Sequence, residues 1–253
     1  LSNKAKVTVA PYKVVTSSLD LEDIDLSKKY VLKTATGGYD GHGQKVITSA
    51  DDLEEANALA NSAECVLEEF VNFDLEISVV VSGNGKDVTV FPVQENIHRN
   101  NILSKTIVPA RISDSLAEKA KAMAVKIAEQ LNLSGTLCVE MFATADDIIV
   151  NEIAPRPHNS GHYSIEALDH SQYDLFARYL LDLPYEEPKI MHKSIMKNIL
   201  GRDLINVDYY LKYPKSYLHM YFKEEARAKR KMGHITFLDM DLDTFMAIEK
   251  GME

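Results

Sequence analysis

Tryptophan is absent, and cysteine occurs only twice in 253 residues. No zinc-type cysteine spacing is therefore available. Cys65 and Cys138 each sit inside apolar, strand-like runs. Buried free thiols are expected there, and with them a reducing cytoplasm. No apolar run approaches the roughly 18 residues that a spanning helix needs, so no membrane partner is expected. Positive charge is also short: 28 Lys and Arg stand against 38 Asp and Glu, a net charge of −10. A surface that grips a nucleic-acid duplex needs a basic excess, so nucleic acid is not an expected partner. A small anion held by a local basic cluster is not excluded. The opening LSNKAKVTVAPY has no Met, no charged leader region and no apolar core of a signal peptide. It reads as the tail of a helix entering a strand, inside a longer protein.

What is present is ordinary for a globular chain: 45% hydrophobic and 26% charged residues. There is no internal repeat and no low-complexity segment. Residues 30–36 and 45–48 read as two strands, followed by a helix over ADDLEEANALA, with Ser49 and Asp52 as its capping box. CVLEEF (65–70) reads as a buried strand. LEISVVVS and KDVTVFPV read as a hairpin around Gly83-Asn84-Gly85. LSKTIVPA reads as a further strand. Ser115 and Glu118 are expected to cap an amphipathic helix carrying Leu116, Ala120, Met123, Ile127 and Leu131 on one face. TLCVEMFA (136–143) and DIIVNEIA (147–154) read as a second hairpin, and PRPHNSGH (155–162) as an irregular loop. A helix is expected over 171–182. YEEPKIMH (185–192) reads as a linker before the short strands of KSIMKNIL, KSYLHMYF and GHITFLDM.

Glycine is sparse, with 11 in the chain, yet four fall in GGYDGHG between Gly37 and Gly43. Glycines in a strand–strand turn let the backbone approach a ligand and aim N–H groups at phosphates. A plain flexible hairpin tip would look the same. The spacing fits neither a P-loop nor a dinucleotide fingerprint. Lys33, four residues before this loop, reads either as an edge lysine that blocks strand pairing or as a phosphate ligand.

Glu140 and Glu152 lie six residues either side of residue 146, the tip of the second hairpin. They should face each other, with Cβ atoms about 4.5–5.5 Å apart, where like charges destabilise. A solvated edge pair is one reading. A site for a hard dication is the other, since Mg²⁺ takes one or two carboxylates plus phosphate oxygens. Asn151 could add a further oxygen. PRPHNSGH then sets an arginine and several donors directly after this strand. KEEARAKRKMGH gathers Lys223, Arg227, Lys229, Arg230 and Lys231. Such runs are often solvated turns, and they also suit phosphates.

Together, the strand lysine, the glycine-rich flap, the EEFV segment and the paired glutamates resemble the ATP-grasp family. VLKTATGGYDGHGQ, NEIAPRPHNSGH and RKMGHIT are most similar to its 5-(carboxyamino)imidazole ribonucleotide synthases. The resemblance implies an α+β, ATP-grasp fold, two α/β lobes with antiparallel sheets, followed by a small β-rich C-terminal domain. It implies a remnant linker over 1–15 from a missing N-terminal α/β domain. A small lobe over 16–72, a large lobe over 73–184 and a C-terminal domain over 185–253 would follow. It implies ATP and Mg²⁺ (or Mn²⁺) as cofactors. Bicarbonate and 5-aminoimidazole ribonucleotide would be the substrates, and a cytoplasmic homodimer the assembly. Lys33, Gly38, Tyr39, Asp40, Gly41, His42, Gly43 and Gln44 would hold the ATP phosphates. Glu68, Glu69, Phe70 and Val71 would form the adenine hinge, Glu76 would take the ribose and His98 would contact the nucleotide. Glu140 and Glu152 would hold the metal, with Asn151 beside them. Arg156, His158, Asn159, Ser160 and His162, with Tyr39, Lys223, Arg230 and Lys231, would line the substrate side. Asp40, Arg156 and Lys231 are the expected catalytic residues. Ala228 and Lys229 stand where the family has a Pro-Gly turn, which leaves the assignment among the basic residues open. Other ATP-grasp ligases, such as transformylases and biotin carboxylases, or a non-catalytic nucleotide-binding module, are the alternatives.

Overall fold

The computed structural model describes residues 2–37 and 42–251. Two antiparallel sheets organise them. The smaller comprises β1 (Tyr12–Val15), β2 (Tyr30–Thr34), β3 (Gln44–Ile47) and β4 (Cys65–Glu69), in the order β1-β4-β2-β3. Its inward residues Leu32, Ile47, Cys65 and Leu67 pack with Ala56 and Ala60 of α2 (Leu53–Ser62). The turn into α2 is capped as the sequence predicts. The Asp52 carboxylate accepts from the Thr48 and Ser49 amides, and Ser49 Oγ accepts from the Asp51 amide. A short α1 (Ser2–Ala5) precedes this sheet.

The larger sheet contains β5 (Leu75–Asn84), β6 (Val88–Val90), β7 (Gln94–Arg99), β8 (Ile102–Val108), β9 (Ser134–Ala143) and β10 (Ile148–Ala154). It continues through β11 (Ser194–Leu200), β12 (Ser216–Met220) and β13 (Lys231–Leu238). The order is β10-β9-β5-β7-β8-β11-β13-β12, with β6 paired to β5. The strands beyond the 185–192 segment thus join the same sheet, through the β8–β11 pairing. Helix α3 (Asp114–Gln130) packs Met123 and Ile127 against Ile77, Val79 and Val139 on one face. On the other face a short α4 (Ser164–Ala167) and α5 (Gln172–Leu180) cover Val80 and Cys138 with Ala167, Leu175 and Tyr179. Because β5 is buried on both faces, its centre carries three consecutive valines, Val79 to Val81, rather than an alternation. After α6 (Val207–Tyr210), helix α7 (Leu242–Lys250) closes a third cluster, with Phe245 and Ile248 on Ile107, Ile195 and Phe237. Each such large side chain contributes about 1.5–3 kcal/mol by its burial.

Three local expectations are corrected. Ser113, not Ser115, caps α3: it is extended and its Oγ accepts from the Leu116 amide, which leaves Ser115 inside the first turn. The first hairpin turns later than expected. β5 runs through Gly83 and Asn84, and Asn84 Oδ1 accepts from the Lys86 and Asp87 amides. Strand β7 was not legible, because Gln94, Glu95 and Asn96 are buried polar residues that hide its pattern.

The last strands are tied to the irregular loop by stacked imidazoles. His219 on β12 and His234 on β13 stack at 4.7 Å, and His162 lies 4.8 Å from His234. Nδ1 of His234 is 2.8 Å from the Tyr221 hydroxyl, and Nδ1 of His162 is 2.9 Å from that of Tyr173. His219 Nε2 lies 2.5 Å from Glu166 Oε1. Burial and the charge on His158 lower His162 to about 4; burial and the charge on His162 lower His234 to about 3.

Two predictions follow from this packing. In the folded protein His162 and His234 stay neutral at pH values where the unfolded chain, titrating near 6.5, already binds protons. Their contribution to stability is therefore complete above about pH 6.5 and declines as pH falls toward 4, by at most about 1.4 kcal/mol per pH unit for each group. Urea unfolding at pH 7 and pH 5 should show this loss, and His234→Gln should shrink it; an equal loss in the variant contradicts the assignment. Separately, a Cβ on Gly201 would run into the carbonyl oxygen of Arg227. Gly201→Ala should cost about 1–3 kcal/mol, read as a lower urea midpoint. An unchanged midpoint would mean that the turn around Arg227 yields freely.

Candidate active site

Glu140 on β9 and Glu152 on β10 face each other across the ladder. The way they come to do so is informative. From the tip outward the pairs run Ala143 with Ile148 and Met141 with Val150, a register that would set Glu140 against Asn151. A β-bulge between Val150 and Glu152 inserts Asn151 as the extra residue and brings Glu152 opposite Glu140. Asn151 is re-aimed at the small sheet, where its Oδ1 accepts a 2.8 Å hydrogen bond from Lys33 Nζ. Lys33 also pairs with Glu68 Oε2 at 2.7 Å. One lysine thus links β2, β4 and β10, and with them the two sheets.

Glu140 is largely buried and Glu152 opens toward the cleft. Burial raises the carboxyl of Glu152, and the neighbouring charge of Glu140 raises it further. Burial is the largest single influence and disfavours ionised Glu140, but the hydrogen bond and charge of His158, with the charges of His98 and Lys231, together outweigh it and hold Glu140 below the usual carboxylate range. His158 Nε2 is 2.9 Å from Glu140 Oε1. Burial pulls His158 down, while Cys138 and Glu140 together lift it to about 10. Lys231, at the start of β13, acts through its charge on Glu140, His98 and His162. Basic residues distant in sequence therefore converge on the paired carboxylates.

The loop that carries His158 is irregular in backbone but firmly held. Gln172, on the buried face of α5, accepts from the His158 amide and donates to its carbonyl, both at 2.8 Å. Ser160 Oγ lies 2.8 Å from His158 Nδ1, 3.0 Å from Ser78 Oγ and 3.1 Å from Gln94 Nε2. Asn159 exchanges hydrogen bonds with Asn198 of β11, at 2.9 and 2.6 Å. Buried polar networks of this kind fix one geometry when every member is satisfied. The sequence reading did not single out Gln172, Ser78, Gln94 or Asn198. Their signal was polar residues at positions that the helix and strand patterns assign to the interior.

Among the residues expected to receive the nucleotide, His98 Nδ1 meets Glu76 Oε2 at 2.6 Å across β5 and β7. In the segment expected to form the hinge, the amides of Glu69 and Phe70 donate to the carbonyls of Pro11 and Lys29. The side chain of Glu69 turns to Lys28 at 2.6 Å, and Phe70 is exposed. Gln44 pairs with Lys33 in the β2–β3 ladder, and Gly43 adopts a positive φ of 76° while its carbonyl accepts from Thr34. His42 lies at the edge of the described segment. Gly38, Tyr39, Asp40 and Gly41 lie outside the described residues.

Among the residues expected to line the substrate, Arg156 is exposed and reaches the Pro157 carbonyl at 3.1 Å. Lys223 lies 5.6 Å from the ring of Tyr221, and Arg230 Nη1 donates to the Glu225 carbonyl at 3.2 Å. Among the described residues no cluster of three or more His, Cys, Asp or Glu forms a metal site of its own. A dication at Glu140 and Glu152 would complete its shell with phosphate and water oxygens, the usual habit of Mg²⁺. Two opposed oxygen donors, one raised by the charge of the other, fit that ion.

Among the described residues no helix is long and apolar enough to cross a membrane. The ATP-grasp domain model matches residues 1–173, and the phosphoribosylaminoimidazole carboxylase C-terminal domain model matches residues 194–247. The chain is 43% identical over 245 residues to the N5-carboxyaminoimidazole ribonucleotide synthase of Bacillus subtilis (strain 168), a match covering 94% of this chain and 64% of the relative. A solved N5-carboxyaminoimidazole ribonucleotide synthetase in complex with ADP superposes with a TM-score of 0.92 at 47% identity, covering 98% of this chain and 67% of that one. The Aspergillus clavatus synthase, solved with ADP and 5-aminoimidazole ribonucleotide, superposes with a TM-score of 0.89 at 30% identity, covering 99% and 69%. The chain thus spans 64% of the length of the Bacillus subtilis relative. With the bulged carboxylate pair, the bridging lysine and both family models falling on one continuous fold, the chain belongs to the ATP-grasp family, in its branch of N5-carboxyaminoimidazole ribonucleotide synthases.

Proposed function

We propose that the protein carboxylates 5-aminoimidazole ribonucleotide, using ATP and bicarbonate and releasing ADP and phosphate, as a step of purine biosynthesis. The observation that carries this reading is the bulge that sets Glu152 against Glu140 while aiming Asn151 at Lys33. It gathers two hard anionic ligands and a cation at the seam between the sheets, where a triphosphate would be gripped. In the proposed reaction a bicarbonate oxygen bonds to the γ-phosphorus of ATP and the bond to ADP breaks, giving carboxyphosphate. The exocyclic amine of the nucleotide then bonds to the carboxyl carbon, directly or as released CO₂. Phosphate leaves, and the amine loses a proton.

The protein's part is positioning and charge neutralisation, as in other phosphoryl transfers. Lys33 neutralises the phosphates from the small sheet, and Gly38 to Gln44 are assigned to the same phosphates. Glu68 to Val71, Glu76 and His98 receive the nucleoside. Glu140 and Glu152 would hold Mg²⁺ (or Mn²⁺), which supplies charge neutralisation on the phosphates when bound. Arg156 and Lys231 face the developing negative charge. His158, Asn159, Ser160 and His162 shape the bicarbonate and imidazole side. Tyr39, Lys223 and Arg230 take the nucleotide, and Asp40 receives the amine proton. The buried free cysteines support a reducing cytoplasm. A homodimer is proposed on the family resemblance.

Two measurements test the reading. ADP release from ATP, Mg²⁺ and bicarbonate should rise on adding 5-aminoimidazole ribonucleotide, and Glu152→Ala should reduce it at least 100-fold, on the order of one lost electrostatic contact. Release indifferent to the nucleotide would point to another ATP-grasp ligase, and nucleotide binding without release to a non-catalytic module. If Lys223 and Arg230 hold the substrate phosphate, Arg230→Ala should raise KM for the imidazole nucleotide about tenfold or more, with KM for ATP unchanged. A matching rise in both would remove that assignment.

A further inference from the structure

The buried charges behind β8 and β11 do not balance. Lys105 is 1% exposed and Lys197 is 6% exposed, and both turn to one carboxylate, Glu249 of α7. Lys197 Nζ meets Glu249 Oε1 at 2.8 Å, and Lys105 meets Oε2. The rest of the packing offers Lys105 only Met246 Sδ at 3.4 Å and the face of Phe245. For Lys197 it offers the ring of Tyr210 at 5.9 Å. One glutamate cannot neutralise two lysines, and a buried charge without a partner is costly.

Beside this group lies a cavity of 40 Å³ lined by Arg99, Ser104, Lys197, Asn198, Arg202 and Asp203, with Ile102 and Leu200. That is room for about three waters, or for one small oxyanion. The Arg99 side chain makes no hydrogen bond or ion pair among the described residues, yet its charge acts on both Lys105 and Tyr210. Arg202 is held only loosely, 3.7 Å from Asp203, whose other oxygen accepts from the Leu200 amide at 3.0 Å. Four cations (Arg99, Lys105, Lys197, Arg202) thus stand against two carboxylates (Glu249, Asp203), an excess of two positive charges in a chain whose net charge is −10. Burial and the charges of Arg99 and Lys197 act against protonated Lys105, which is the sign expected of a cluster lacking an anion.

We propose that this cavity is a second anion site, taking a small oxyanion of the phosphate or bicarbonate class. Its residues are separate from those assigned to the proposed reaction. It is nonetheless one side chain away from them: Asn198 lines the cavity and is hydrogen-bonded to Asn159 of the site loop. The guanidinium groups of Arg99 and Arg202 supply planar donors suited to an oxyanion. Ser104 and Asn198 supply neutral ones.

The test is calorimetric titration of inorganic phosphate into the protein, the Arg99→Gln/Arg202→Gln variant and a Lys33→Gln control. Both arginines lie at the surface, so the double variant should fold. Phosphate should bind saturably, at least tenfold more weakly to the double variant and unchanged in the control. Equal binding to the double variant, loss confined to Lys33→Gln, or no saturable binding to the parent protein overturns the site. Competition settles the ligand class. Bicarbonate should displace bound phosphate at constant ionic strength; chloride displacing it equally well would show screening of a diffuse charge and also overturn the proposal.

Discussion

Two glutamates held face to face on one β-ladder constrain almost everything else in this molecule. Like charges in opposed positions destabilise a sheet, and these do so where Glu140 is largely buried. The surroundings supply compensation: His158 against Glu140, Lys33 against Asn151 and Glu68, and the charge of Lys231 from a distant strand. Remove the pair and these cations lose their reason to converge. The sheet order serves the same end. It brings β10, β7 and β13, which are remote in sequence, within electrostatic reach of one cleft.

The bulge is the smallest element with the largest consequence. One inserted residue changes which side chain opposes Glu140 and which reaches the small sheet. In an unbulged hairpin Glu140 would face Asn151, and the second carboxylate would be displaced along the strand. Bulges re-aim side chains next to functional sites, and this one does so for two residues at once. The Lys33–Asn151 bond adds to the ties that the segment before β1 makes with β10, where Val9 bridges Val150 and the Thr8 carbonyl accepts from the Val150 amide.

The sequence carried the strong periodicities and failed where polarity and burial disagree. The α2 cap, the second hairpin and the α3 face from Leu116 to Ile127 were legible because turn chemistry and hydrophobic spacing agree there; Leu131, expected on that face, is the exposed C-cap instead. The opposition of Glu140 and Glu152 was read from their equal distance from residue 146, yet it holds through the bulge rather than through the tip geometry assumed. β7 escaped notice because Gln94 and Asn96 serve the network under Ser160 rather than an apolar core. The loop 155–162 looked irregular and is irregular. What no pattern revealed is that Gln172 and Asn198 pin it from two sides. The histidine stack was hidden for the same reason: His162, His219 and His234 are far apart in sequence, and only the sheet brings their rings together.

Rigidity and openness are divided along the same line. The loop after β10 is fixed by hydrogen bonds of Gln172, Ser160 and Asn159 to polar groups inside the protein, and by the packing of His162 on the His234 ring. The groups left toward the cleft, Glu152 and Arg156, are those with the fewest internal partners. Such a division suits charge chemistry, because a preorganised frame need not reorient when negative charge develops. It also places the uncompensated lysines behind β11 in a distinct position. They share the frame through Asn198 but not the cleft, so charge arriving there would act on the site through the loop that Asn159 anchors rather than by direct contact.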